Sequence, residues 1–259
     1  SFAALAEAED APPANPYSGD IWTRSTLSGD WWGLRNDLAA KGVTLDMSLT
    51  QAAQGIVHGG KDTGWQYSGG RGDINLLLDT QKLGLWPGGF LTVEAEGNFI
   101  PADNLLKSIN GRTGALMPVN SSQFYPMPAG DNFNLPALNF TQFLSHYFGL
   151  TIGKYATITG NSGDMNEFAH GKGDSQFMNL ALNINSVLMT TVPYSTLGAG
   201  VIVLPTQDPH QAIVSLMVLS STGKASTSGF DAIDDNNLSF VGEGRVTTDI
   251  IEGLGVNLS

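Results

Sequence analysis

The 259-residue chain has 41% hydrophobic but only 14% charged residues and contains 32 glycines, which disfavours a helical bundle and favours many strands joined by turns. Its net charge of −12 argues against nucleic acid as a partner, because phosphates are bound through Lys and Arg. The absence of cysteine excludes disulfides and thiolate chemistry. No apolar run approaches the ~20 residues of a membrane-spanning helix, whereas strands cross a bilayer with only about 9–11 residues.

The first 26 residues are expected to stand apart from the folded domain. Ala6-Glu7-Ala8 follows an apolar stub, which fits the end of a secretory signal peptide cleaved after Ala8. A plain flexible N-terminus is the alternative. We therefore divide the sequence into a signal-peptide remnant with a flexible segment, 1–26, and one domain, 27–259.

A helix is predicted in "SGDWWGLRNDLAAKG". Ser28 or Asp30 would cap its start, and Gly42 would end it. One apolar face is shared by three residues: Trp31, Leu34 and Leu38.

After Gly42 the hydrophobic period changes from 3.6 to two, which indicates β-strands. In "VTLDMSLTQ" apolar residues alternate with Thr, Asp and Ser. The predicted strands cover 43–51, 73–80, 90–99, 137–148, 150–156, 198–204, 211–219 and 239–249, with a ninth that begins near 255.

Long and short connections alternate between these strands. The longest connections cover 100–136 and 157–197, and each is followed by a short one. A transmembrane barrel produces this order, because short turns face the periplasm and long loops face outward. Half-exposed strands of a soluble sheet are the alternative for any one strand. The whole pattern predicts an all-β, antiparallel transmembrane β-barrel with a short N-terminal helix.

The segment "RGDINLLLDTQKLGLWPGGFLTVEAEGNF" illustrates the expected two faces of this barrel. Its apolar residues at a period of two would meet lipid, as Leu76 and Val93 do in the middle of their strands. The residues between them would face a water-filled lumen: Asp73, Asn75, Asp79, Glu94 and Glu96.

Several segments resemble the OprB-type carbohydrate-selective porins of Gram-negative outer membranes. "LSGDWWGLRNDLAAKGVTLD" resembles their N-terminal helix and first strand, and "INLLLDTQKLGLWPGGFLTVEAEGNF" resembles the second and third strands around a Leu-Trp-x-Gly-Gly turn. "GLTIGKY", "FMNLALNIN" and "VPYSTLGAGVIVLP" resemble central segments. The resemblance covers roughly 27–259.

This resemblance implies a sixteen-stranded barrel that passes small carbohydrates by diffusion, with long loops folded inward to narrow the channel. About half of those strands are present here and no aromatic residue closes the C-terminus, so 27–259 is expected to be the N-terminal part of such a porin. The implied location is the outer membrane of a Gram-negative bacterium. The implied partners are small carbohydrates, outer-membrane lipid and lipopolysaccharide, with a homotrimer as the candidate assembly.

The sequence shows no constellation for catalysis. The histidines are scattered without the spacing of metal ligands, and no Gly-x-Ser-x-Gly motif is present. Gly198-Ala199-Gly200 lacks the third glycine of a dinucleotide site. We expect neither an enzyme nor a metal or cofactor.

A sugar pore needs polar groups for hydroxyls and aromatic faces for C–H patches, and its binding must stay weak. Trp65 and Tyr67 are aromatic candidates. The predicted pore-lining residues are Arg71, Asp79, Glu94, Glu96, Lys107, Arg112, Phe124 and Tyr125. For each of them, hydration of the lumen or packing of a loop is the alternative.

Three questions stay open at the level of sequence. Lys154 shares the apolar face of its strand, so either a bulge shifts the register or the side chain reaches a headgroup. The long connection 100–136, with part of 157–197, is expected to fold into the barrel mouth, against a floppy external loop. The rival function is a secreted all-β carbohydrate-binding or adhesion module without a pore.

Overall fold

The computed structural model describes residues 17–67, 69–99, 108–123, 133–157, 178–182, 192–208, 211–230, 237–246, 248–251 and 256–258. Within these ranges lie the helices α1 (Leu34–Ala40) and α2 (Ile109–Thr113) and the 3₁₀ turns Ser121–Gln123 and Leu180–Leu182. The strands are β1 (Val43–Gln51), β2 (Gln54–Ile56), β3 (Gly64–Gln66), β4 (Gly70–Asp79), β5 (Gly89–Phe99), β6 (Phe133–Phe143), β7 (Phe148–Ala156), β8 (Ser195–Val203), β9 (Ala212–Ser220), β10 (Leu238–Val246), β11 (Thr248–Ile251) and β12 (Val256–Leu258). No helix in the described part of the chain is long and apolar enough to cross a membrane.

Eight strands form one antiparallel sheet in the order β1-β4-β5-β6-β7-β8-β9-β10. Each of these strands pairs with the next one along the chain, apart from the small hairpin β2–β3 inserted after β1. A second small hairpin, β11–β12, follows the sheet. The predicted all-β, antiparallel class with a short N-terminal helix is confirmed, and each of the eight predicted strands corresponds to one strand of the sheet.

Strand β6 begins at Phe133, four residues before its predicted start at 137. Its pairing with β5 shifts between Glu94 and Glu96, so a β-bulge lies beside Pro136. A bulge is one of the few places in a sheet that tolerates proline, which explains why a proline-containing stretch belongs to the strand. The following turn is Leu144–Tyr147 rather than Gly149, which lies in β7 opposite Phe143.

Helix α1 is shorter than predicted because the chain is left-handed just before it. Trp31 and Trp32 have φ values of 52° and 59°, and Gly33 has a φ of 91°. The predicted apolar face that included Trp31 is therefore wrong. Gly42, with a φ of 88°, ends the helix as expected.

The side chain of Arg35 fixes α1 against the start of the sheet. Its guanidinium lies 4.2 Å from the ring centroid of Tyr17 and 5.2 Å from that of Trp31. Its Nη2 lies 3.3 Å from Asp46 Oδ1 on β1. This helix therefore packs on the polar face of the first strand.

One face of the sheet is apolar across its middle. Because directly paired residues of antiparallel strands point to the same side, the register defines rows that cross the sheet. One row crosses all eight strands without a polar residue: Val43, Leu78, Leu91, Phe140, Ile152, Ala199, Val218 and Phe240. Ile152 is 64% exposed and Phe240 is 79% exposed, so no residue that the structure describes covers this face there. We call it the outer face.

The short and long connections lie at opposite ends of the sheet. The short connections, between β4 and β5, β6 and β7, and β8 and β9, contact one another: Phe143 N–H donates to Gly88 O at 2.8 Å, and Leu204 N–H donates to Tyr147 O at 2.9 Å. The long connections meet at the other end, where Ser121 N–H donates to Met178 O at 2.7 Å. The predicted alternation of short and long connections therefore corresponds to the two ends of the sheet.

Candidate functional site

The inner face of β1, β4, β5 and β6 carries two rows of polar residues. These rows follow from the parity of the strands, which points Arg71, Asp73, Glu94 and Glu96 away from the apolar outer face. The row nearer the long connections contains Ser48, Asp73, Glu96 and Asn134, and the next contains Asp46, Asn75 and Glu94 and ends at the apolar Ala137 on β6. Strand pairing thus gathers charged side chains that lie far apart in the sequence.

Arg71 holds the carboxylates of the first row. Its Nε lies 2.7 Å from Asp73 Oδ1, and its Nη1 lies 3.7 Å from Glu96 Oε1. The arginine and both acids are buried, and Glu96 is fully buried. Ser48 adds a hydroxyl donor, with its Oγ 3.3 Å from Asp73 Oδ2. A guanidinium suits this position because its planar donors engage two carboxylates at once.

A second contact reaches Glu96 from a long connection. The Tyr194 hydroxyl, just before β8, donates to Glu96 Oε2. The Tyr194 carbonyl also accepts from Thr157 N–H at 3.0 Å. The wall of β5 and the end of the connection from β7 to β8 are thereby joined through one buried carboxylate.

A layer of loop residues covers this inner wall, and we call it the loop layer (residues 108–123). Its 3₁₀ turn, Ser121–Gln123, packs on β4 and β5. Asn120 organises the layer: its N–H donates to Asn110 Oδ1 at 2.8 Å, and its Oδ1 accepts from Ser122 Oγ at 2.6 Å. All four residues from Asn120 to Gln123 are buried. This part of 100–136 is therefore folded against the sheet.

The loop layer also binds the β2–β3 hairpin. Gln66 Nε2 donates to Gln123 Oε1 at 2.7 Å, and Asn120 Nδ2 donates to Gln54 Oε1 at 2.5 Å. Arg112 Nε lies 3.0 Å from Asp62 Oδ2, and its Nη2 donates to Thr63 O at 2.8 Å. Hydrogen bonds from amide and guanidinium groups therefore hold two long connections together.

The structure separates the predicted pore-lining residues into groups. Arg71, Glu94 and Glu96 lie together on the inner wall, whereas Arg112 lies in the loop layer and contacts the hairpin. Asp79 is at the far end of β4, roughly 26 Å along the strand from Arg71 at ~3.3 Å per residue. Its Oδ1 accepts from the N–H groups of Gln81 and Lys82, at 2.9 and 3.2 Å, so it stabilises a short turn. Lys107, Phe124 and Tyr125 lie outside the described residues.

The expectation that the inner acids are hydrated is wrong for Glu94 and Glu96, which are 3% and 0% exposed. The reason is the loop layer, whose position depends on hydrogen bonds between residues more than 50 positions apart, such as Gln66 and Gln123. Strand periodicity contains no information about such a cover. It does identify the face on which the acids lie.

Lys154 is held in a way that the sequence did not indicate. It keeps its place in the register opposite Leu138 and Leu197, so neither neighbouring pairing records a shift. Its Nζ donates to Ala225 O at 2.8 Å and to Thr227 O at 2.6 Å. The connection between β9 and β10 thus covers the lysine, which is only 5% exposed. The structure therefore shows neither a bulge nor a headgroup contact at Lys154, but hydrogen bonds to the connection between β9 and β10.

Sequence reasoning missed two kinds of site residue. Asn98 continues the series Glu94, Glu96 on the inner face of β5, so strand parity was a sufficient signal for it. Tyr194, Gln66 and Gln123 lie in connections without periodicity, and their roles depend on the tertiary fold alone.

Comparison with known proteins shows the fold. No protein-family model and no curated protein matches this chain. One solved structure, the high-pH structure of Pseudomonas putida OprB, is similar with a TM-score of 0.64 and 19% identity. The match covers 86% of this chain and 52% of that chain, so this chain spans about half the length of that protein. At this identity the likeness shows that the chain has an OprB-like porin fold.

Proposed function

We propose that this chain forms part of the wall and constriction of an outer-membrane porin through which small carbohydrates diffuse. The observation that carries the proposal is the combination of an apolar outer face with an inner face that is polar and covered by inward-folded connections. In this proposal, outer-membrane lipid and lipopolysaccharide surround the outer face, and further copies of the chain would complete a homotrimer. The location is the outer membrane of a Gram-negative bacterium.

The outer face supports a membrane environment over the rival secreted module. An apolar row that crosses all eight strands would be exposed to water in a secreted protein. Soluble monomers rarely expose contiguous apolar patches larger than a few hundred Å². In a bilayer the same row is satisfied by lipid, and the antiparallel pairing satisfies the backbone.

The inner wall supports passage of a polar, uncharged solute. Arginine supplies donors, and carboxylates and amides supply acceptors, which together match the hydroxyls of a sugar. Arg71, Glu94 and Glu96 lie on one wall beside the loop layer. We propose that these three buried residues form the wall behind the narrow part of the channel, and that the loop layer in front of them contacts sugars weakly, as conduction requires.

The proposal is tested on the complete protein reconstituted in planar bilayers and in liposomes. We expect discrete conductance steps in KCl, and liposomes that swell faster in glucose than in a large oligosaccharide. Arg71→Lys keeps the charge but removes the planar fork, and it is expected to alter the ratio of the two swelling rates. Recovery of the complete protein as a soluble monomer without channel activity would contradict the proposal.

A further inference from the structure

The β2–β3 hairpin carries a pair of exposed aromatic rings. Trp65 and Tyr67 are two positions apart and share one side of the hairpin. Their ring centroids are 6.1 Å apart and their planes differ by 15°. Trp65 is 56% exposed and Tyr67 is 73% exposed. Two nearly parallel rings are therefore presented to the solvent at the end of the sheet where the long connections meet.

The hairpin is anchored on its other side, so the rings are held in place. Gln66, between the two aromatic residues, is buried and donates to Gln123 of the loop layer at 2.7 Å. Trp65 lies across Gly55, where an added Cβ would fall 2.5 to 2.9 Å from the indole atoms Cδ2, Cε2 and Cε3. An ordered aromatic surface loses little conformational entropy on binding, which favours even a weak ligand.

The polar groups near the hairpin lie on the side opposite the rings. Gly64, the residue before Trp65, faces the side of Gln66, and Arg112 Nη2 would lie 2.9 Å from a Cβ added there. Arg112 pairs with Asp62 at 3.0 Å. The exposed side of the hairpin therefore presents aromatic faces, which pack against the C–H groups of a pyranose ring.

We infer that Trp65 and Tyr67 form a capture site for saccharides on the long-connection side of the sheet, ahead of the inner wall. The inference rests on the proposed function for its biological role. The occupant is a pyranose ring of a small saccharide, because two side chains are far smaller than the roughly 800 Å² per partner of a stable protein interface. The site concentrates the solute before it meets the narrow part of the channel.

Binding is measured on the complete protein in detergent micelles by calorimetry, with maltotriose as the probe. Trp65→Ala and Tyr67→Ala are each expected to weaken binding about threefold to tenfold, through the lost ring contact. Gly55→Ala should weaken it as well, because the new methyl group displaces the indole. Trp65→Phe should retain most of the affinity. Trp22→Ala, at a tryptophan that is 91% exposed outside both the hairpin and the loop layer, is the matched control and should bind like the parent.

Planar bilayers separate this inference from the proposed function. Trp65→Ala should keep the KCl conductance but slow the rate of sugar-induced current interruptions when maltotriose is added on the long-connection side alone. A protein that conducts no ions, yet loses maltotriose affinity on Trp65→Ala, would contradict the porin and support the capture site. Unchanged affinity in both Trp65→Ala and Tyr67→Ala, or a parent that does not bind maltotriose, would overturn the capture site.

Discussion

Arg71 is the residue on which the inner wall depends most. It is buried, and it is paired with Asp73 and Glu96, which are also buried. Removing one member of a buried ion pair leaves a charge without compensation, which costs more than the pair itself contributes. The stability of this wall therefore depends on charge balance as well as on each separate contact.

Arg71→Leu is expected to lower the free energy of unfolding by about 3–5 kcal/mol, because two buried carboxylates lose their cation. The double variant Arg71→Leu/Glu96→Leu should recover part of that loss, since one uncompensated charge is removed with it. Urea unfolding in micelles measures the free energy of unfolding of both variants. A double variant no more stable than Arg71→Leu would show that the Arg71–Glu96 contact is unimportant.

Leu76 and Asn75 are neighbours in sequence on opposite faces of β4, so they form a matched pair. Leu76→Arg should destabilise the protein in a bilayer by ~2–4 kcal/mol if it lies at mid-bilayer depth. Asn75→Lys should be tolerated, because its new charge lies in the row that contains Asp46 and Glu94. Equal stability of the two variants in lipid would contradict the assignment of the outer face.

At the scale of elements, the strands were predictable and the connections were not. The alternation of apolar and polar residues predicted the observed bounds of β1, because residues two positions apart lie on the same face of a strand. The hairpin β2–β3 was missed because strands of three residues are too short to show a period. The start of α1 was misplaced because the left-handed Trp31 and Trp32 carry no sequence signal, unlike the glycine that follows them. The burial of Glu96 depends on the loop layer and could not be read from β5 alone.

The connection between β9 and β10 offers an element-scale test. Lys154→Met removes the ammonium group that donates hydrogen bonds to the carbonyls of Ala225 and Thr227 in this connection. We expect this connection to open more often, and trypsin to cleave faster after the exposed Lys224. Lys82→Met, at an exposed lysine of a short turn, is the control and should leave that rate unchanged. The same cleavage rate in both variants would mean that Lys154 does not hold the connection.

The long connection 100–136 is expected to set the width of the channel. Deletion of residues 104–130 from the complete protein removes the loop layer's buried 3₁₀ turn and should raise single-channel conductance while reducing discrimination between sugars of different size. Conductance steps in bilayers and swelling rates of liposomes measure the two effects. If both stay at the parent's values, the connection lies outside the channel.

At the scale of the whole molecule, the described inner face of β1, β4, β5 and β6 carries an excess of negative charge. Asp46, Asp73, Glu94 and Glu96 lie in its two polar rows, where Arg71 is a neighbour. A low-dielectric wall focuses such a field into the space that it encloses.

The expected consequence is a preference for cations. In a KCl gradient across a planar bilayer, the parent's reversal potential should indicate cation selectivity, and Glu94→Gln should shift it toward zero. Asp37→Asn, on the exposed side of α1, removes the same charge elsewhere and should leave the potential unchanged. An identical potential in the parent and Glu94→Gln would place Glu94 away from the ion path.

The meander order of the sheet has a consequence for how the protein folds. Every strand of the sheet pairs with its sequence neighbour, so each can dock on an edge formed just before it, from β1 toward β10. The entropy of closing a connection grows only with the logarithm of its length, by about 0.6 kcal/mol for each doubling. Long connections on one side therefore slow this stepwise growth only slightly. The long connections could therefore be lengthened with little effect on the rate of folding. An inserted residue in a strand, by contrast, would shift the register of every strand that docks after it.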